Sequence, residues 1–310
     1  MTYLYLNYKE FASMEISEFD MAIQEASSVA IELNAEVEKF FVIQANINAY
    51  QMRRLRPFSL ENGDMDAGLE ELIQGAHNVV SRIKNFIIKL WYTLKNVLDK
   101  MLHLFSNTLK KLKGYQDLFK SGIDQSKFAA FSNTTLKVYK KVDMQKRLDV
   151  LTREVEMKWV NSDGSINQAE RQGDVDWITK LFHGRQEGLI AIGHNLKIDG
   201  EGHVKQTYTG ALPKEDTLGS HGYTFADVSA FLNSIVNIYE KFPGYKENLR
   251  KMGDNEIDSK YKSAETSDQK YKAIIADRTK YIYIQKMTTI VLKEMREIGK
   301  EIIAICGAIK

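Results

Sequence analysis

A chain of 310 residues that is 44% hydrophobic and 27% charged has the composition of a globular protein able to bury a sizeable core. Its 43 basic and 41 acidic side chains leave a formal net charge of only +2, which argues against a dedicated nucleic-acid coat or an acidic disordered tail. The single cysteine, Cys306, excludes an intramolecular disulfide framework and any Cys-rich zinc module.

Residues 1–15 form an N-terminal arm with no basic region ahead of its apolar run, so it does not read as a signal peptide. From 16 to 56, Ile16, Phe19, Ile23, Ala26, Ala30, Leu33, Val37, Phe40 and Ile47 fall on alternating steps of three and four, with Gln44 as a polar break. That heptad stripe predicts a helix docked along a partner helix. At ~1.5 Å per residue it would be about 60 Å long, and Pro57 sets its end. A polar connector at 58–68 leads, with Asp66 as N-cap, into a second helix over 67–113 that Gly114 closes.

This second helix is the most distinctive segment. Its apolar residues, Trp91 and Phe105 among them, cover about half of the helical wheel, wider than a coiled-coil seam. Charge changes sign at its start. Residues 1–75 hold 13 acidic and 5 basic side chains, whereas 76–114 hold 8 basic ones and only Asp99 as an acid. The eight are Arg82, Lys84, Lys89, Lys95, Lys100, Lys110, Lys111 and Lys113.

Further on, 115–121, 125–140 and 143–159 read as shorter helices. Residues 161–222 form a Gly-rich mixed insertion. Its strand candidates are 189–192 and 203–208, with Asp199-Gly200 turning a hairpin between them. A capping box at Thr224-x-x-Asp227 opens a helix to about Lys241, where Pro243-Gly244 breaks it. After a polar stretch at 253–268, Tyr281, Ile284, Thr288, Val291, Met295, Ile298, Ile302, Ile305 and Ile309 repeat the 3–4 spacing in a final helix. This stripe is the expected partner of the first. The fold expected is therefore mainly α: an elongated bundle of long, heptad-patterned helices, with a helical region at 16–160, the insertion at 161–222 and a C-terminal helical region at 223–310. Nowhere do 18 apolar residues run together, so no spanning helix is expected.

Chemical motifs are sparse. With Trp159 at position 1 of a calcium loop, Asn161, Asp163, Asn167 and Glu170 fall at ligand positions and Gly164 at the turn. Indole cannot ligate a hard cation, so a turn followed by a helix cap is the simpler reading. The histidines show no zinc spacing, although His194, His203 and His221 could converge with Asp199. Gly219-Ser220-His221-Gly222 lacks the strand–turn–helix context of a nucleophile elbow. No phosphate-binding glycine motif occurs. No catalytic residue and no cofactor are expected, and Cys306 reads as buried and inert. The basic helix has three readings: a core helix neutralised by the acidic arm, an interfacial membrane helix, or a contact for DNA phosphates.

The run from Glu71 through Lys84, Trp91, Lys95 and Phe105 to Lys110-Lys111-Leu112-Lys113 resembles a segment of the internal head proteins of large tailed bacteriophages. Those proteins show a short acidic stretch, a long basic aromatic-aliphatic helix, a variable α-rich region and a C-terminal helix. The likeness is specific over roughly residues 70–114. It implies a non-enzymatic virion component, made in the host cytoplasm and packaged in the particle. Its implied partners are other virion proteins, packaged DNA bound without sequence preference, a host membrane at ejection, and further copies of itself. The contact residues would be the eight cations with Trp91 and Phe105. The alternative is an α-helical membrane-active protein, pore-forming or ejection-related.

Overall fold

Nothing in the backbone chemistry interrupts 3–54, which contain neither glycine nor proline, and the first helix uses all of them. The computed structural model describes residues 3–54, 63–121, 127–156, 183–261 and 268–308, and over these the chain is mainly helical. In chain order the elements are α1 (Tyr3–Arg54), α2 (Gly63–Lys120), α3 (Lys127–Asn133), β1 (Thr135–Val138), α4 (Lys141–Val155) and α5 (His183–Ala191). β2 (His194–Ile198), β3 (Val204–Tyr208), β4 (Lys214–Thr217), α6 (Phe225–Tyr261) and α7 (Asp268–Gly307) follow.

Phe19, Ile23, Ala26, Ala30, Leu33, Val37, Phe40 and Ile47 of α1 are all buried. Their side packs most extensively on α2 and more lightly on α7. The last helix is thus not the main partner of the first. α7 is buried on nearly every side from Asp277 to Glu301 and touches α1, α2, α4, α6 and three of the strands. It is the hub of the structure, which explains why its apolar residues spread well beyond one stripe.

Two expected breaks are absent. α2 runs through Gly114, because Leu112 is buried and Tyr115 and Phe119 pack on the core beyond it. Phe119 stacks on Phe225 with ring centroids 4.9 Å apart. α6 runs through Pro243, because Phe231, Ile235, Tyr239, Phe242, Tyr245, Leu249 and Ile257 keep one continuous buried face. An interior proline costs roughly 3 kcal/mol and an interior glycine about 1 kcal/mol, and tertiary burial on this scale outweighs both.

The Gly-rich region also differs in detail. Residues 183–191 form α5, not a strand. The hairpin pairs β2 with β3 in antiparallel register from His194↔Tyr208 to Ile198↔Val204. Its turn spans 199–203. The Asp199 carboxylate accepts hydrogen bonds from the backbone N–H of Glu201 (3.1 Å) and His203 (2.9 Å). The left-handed residue is Gly202, at φ 79°. A second two-stranded sheet joins β1 to β4, where a helix had been expected over 125–140. The capping box is formed: Thr224 N donates to Asp227 Oδ2 (2.8 Å) and Asp227 N to Thr224 Oγ1 (3.3 Å).

Candidate functional site

The basic helix α2 lies between the acidic arm and α6, and its charges are largely spoken for. Arg82 Nε donates to Glu36 Oε2 (2.8 Å), beside the Lys39–Glu36 pair at 2.6 Å. Burial pushes the Glu36 carboxyl up, but the bonds from Lys39 and Arg82 prevail and hold it below its ordinary range. Lys89 reaches Glu32 at 3.5 Å and Lys113 reaches Glu240 at 2.7 Å. Lys84 also has a partner. The one acid of the segment, Asp99, accepts from Lys246 at 2.6 Å.

Lys95 and Trp91 share an acceptor. Lys95 Nζ and Trp91 Nε1 both donate to Asp254 Oδ1, each at 2.8 Å. Burial raises the Asp254 carboxyl, and the Lys95 and Trp91 bonds more than reverse that. The Trp91 indole is buried edge-on to Tyr281. Gly253 makes room for it: a Cβ there would come within 2.0 Å of the ring. Phe105 is buried too, stacked on Tyr239 (4.5 Å) and edge-on to Phe242 (4.8 Å). In this conformation neither aromatic offers a surface to DNA or lipid.

What α2 does present to solvent is its outer edge. Lys100, His103, Asn107 and the pair Lys110/Lys111 are exposed and spaced by three and four, so they share one face. Among the described residues Lys100 and Lys110 make no ion pair. Lys111 has an interaction of its own.

A second constellation joins residues with no local spacing in the sequence. Arg147 of α4 is buried and ion-paired to Glu294 of α7. It donates to Tyr208 Oη (2.7 Å) and the Ala211 carbonyl (3.2 Å), and its guanidinium lies 4.0 Å over the Tyr139 ring. His194 Nε2 meets the other Glu294 oxygen at 2.8 Å. Burial raises the Glu294 carboxyl, but His194 and Arg147 hold it below its ordinary range. One turn-pair along α7, Glu301 accepts, among the described residues, only the Tyr139 N–H (2.9 Å). Burial therefore dominates and pushes its carboxyl up to about 7. A similar knot ties Arg185 of α5 to Glu154 of α4, with Tyr245 Oη donating to Glu154 at 2.9 Å. The first group locks α4 and the hairpin onto α7, and the second ties α5 to α4 and α6. Sequence reading missed them because the partners are far apart in the chain; the only local sign was carboxylates inside the apolar run of α7.

The histidine group does not converge. His203 lies in the hairpin turn, 3.5 Å from Asp199, while His194 sits at the opposite end of the same hairpin. His221 is buried against Tyr223. No group of three metal-ligating side chains occurs among the described residues. Asn161, Asp163, Asn167 and Glu170 lie outside those residues. Ser220 Oγ bonds Thr217 Oγ1 at 2.8 Å. Cys306 is buried, its thiol pushed up to about 12 by burial. No described helix is long and apolar enough to cross a membrane. Comparison with known protein families, with curated proteins and with solved structures finds no match.

Proposed function

We propose that this chain is a non-enzymatic structural protein of a tailed-phage particle. It would sit with the packaged DNA or with neighbouring virion subunits and meet them through the outer edge of α2. One observation supports this contact: Arg82, Lys89, Lys95 and Lys113 are paired internally, whereas Lys100 and Lys110 make no ion pair among the described residues and share an exposed face with Lys111. Such a face attracts phosphates without reading bases. Three phosphate contacts would give a slope of about −3 in log K against log salt. The virion setting rests on the resemblance of residues 70–114 to internal head proteins. The contact set is narrower than eight cations and two aromatics, since most of those groups hold α2 in the core.

The membrane-active reading asks more of the molecule. Trp91 and Phe105 would have to leave the core, each at a cost on the order of 3–5 kcal/mol. The test of the proposal is quantitative mass spectrometry of purified particles, intact and after DNA ejection. A fixed copy number in intact particles supports it, and absence from both preparations refutes it.

A further inference from the structure

The outward side of α1 carries a second apolar track, opposite the one that faces the core. Met21, Ile31, Val42 and Met52 are 55%, 69%, 62% and 72% exposed. They fall on positions 21, 24, 28, 31, 35, 38, 42, 45, 49 and 52, again in steps of three and four. Small exposed residues (Ser28, Ala35, Ala45, Ala49) fill most of the gaps, leaving Gln24 and Glu38 as the strongly polar members. Among the described residues the hairpin turn reaches this track at Glu38, where His203 Nε2 lies 3.9 Å from the carboxylate, and the Glu38 side chain stays 67% exposed. α2 flanks it through Lys89–Glu32, and α7 flanks the other side through Arg296–Asp20 and Arg278–Asn34. The four large aliphatics recur every ten or eleven residues, about three helical turns apart, so they line up on one exposed face of α1 with mostly small residues between them, a surface a second helix can pack against.

We infer that a second copy of this chain covers the track, the two α1 helices running antiparallel about a two-fold axis between residues 36 and 37. The order of residues along the track selects that partner. Turned end for end, it sets Met21 opposite the partner's Met52, Ile31 opposite the partner's Val42, and Glu38 opposite the partner's Ala35. At the flank, Glu32 comes opposite the partner's Lys39, and symmetry repeats the attraction. Both side chains are about half exposed in their present pairs and can reach outward. A parallel pairing would instead oppose Glu38 to the partner's Glu38 and bring Asp20 beside the partner's Glu25. Such like charges cost stability and select against that arrangement.

The track spans about 47 Å at ~1.5 Å per residue. A band about 10 Å wide along it covers on the order of 500 Å² per copy, the lower end for a specific interface. An interface of that size is typical of weak, reversible association. This inference rests on α1 alone and stands or falls separately from the anion-binding edge of α2.

Sedimentation velocity on the full chain from about 1 to about 100 μM tests it, micromolar affinity being the expected range. The wild type shifts from monomer to dimer. Ile31→Glu with Val42→Glu, both at exposed positions, keeps the helical circular dichroism and weakens association at least tenfold. Orientation is read by oxidising an equal mixture of the Met21→Cys and Met52→Cys variants, the native thiol being buried. The inference predicts the mixed 21–52 disulfide and little homodisulfide. A monomer throughout, a dimer indifferent to the double variant, or a dominant 21–21 disulfide overturns it. So does binding of the monomer to phosphatidylglycerol vesicles through the same residues without self-association.

Discussion

Gly253→Ala reverses the usual sign of a glycine substitution in a helix. Replacing an interior helical glycine by alanine ordinarily stabilises by up to about 1 kcal/mol. At Gly253 of α6 the new methyl would come within 2.0 Å of Trp91 Cζ2 and 2.3 Å of Cε2. The ring cannot swing aside freely, since it is buried, lies edge-on to Tyr281 and donates to Asp254 at 2.8 Å. Overpacking of this kind costs roughly 1–3 kcal/mol. A lost or strained Trp91–Asp254 bond adds about 1–3 kcal/mol. Less the gain in helix propensity, the net loss is about 1–5 kcal/mol. Urea unfolding followed by circular dichroism measures it directly. Gly114→Ala in α2 is the matched control: nothing lies within 4 Å of the added methyl, so that variant is as stable as wild type or slightly better. Equal stabilisation by both substitutions would mean that Trp91 is not pressed against α6, and the burial of the aromatic face of α2 would be wrong.

Three further outcomes follow from the buried charges and the outer edge of α2. Glu301 titrates near 7 when folded against 4.5 for the free group, so its neutral form favours folding. That contribution is complete below about pH 4.5 and fades as pH rises through 7, to a loss of at most about 3 kcal/mol. Glu301→Gln should therefore flatten the fall in melting temperature between pH 5 and pH 8; an unchanged slope would clear Glu301 of that role. Glu294→Gln leaves the Arg147 guanidinium buried with its ion partner gone, at a cost of about 3–5 kcal/mol. Hydrogen exchange should then speed up in β2–β3 before α1, and uniform acceleration would contradict the pairing as described. Lys84→Gln, on the core-side portion of α2, should leave DNA affinity within about twofold, whereas Lys100→Gln with Lys110→Gln should lower it at least tenfold at low salt, as a filter-binding titration would read.

Much of this architecture was written in local patterns. The buried positions of α1, the capping box at Thr224, the hairpin strand 204–208 and the burial of Cys306 all rest on spacing or composition within a few residues. The errors came where distant packing outweighed a local signal. Gly114 and Pro243 are strong helix punctuation, yet the buried faces of α2 and α6 carry straight through them. β1 was missed because its partner, β4, lies some eighty residues later and neither strand alternates cleanly. The neutralisation of the basic helix was anticipated as coming from the acidic arm. Lys95 and Lys113 are paired instead by Asp254 and Glu240 of α6, which no charge count over the first 114 residues could reveal. The Arg147–Glu294–His194 cluster joins three elements across more than a hundred residues and left no motif to find.

The proposal that α2 meets phosphates through Lys100, Lys110 and Lys111 is tested most directly by the salt dependence of binding to a random-sequence DNA duplex. The account predicts sequence-independent binding with a slope of about −3 in log K against log salt, reduced to near zero when the three lysines become glutamine. Absence of binding at low salt, or a slope that survives the triple substitution, would contradict it.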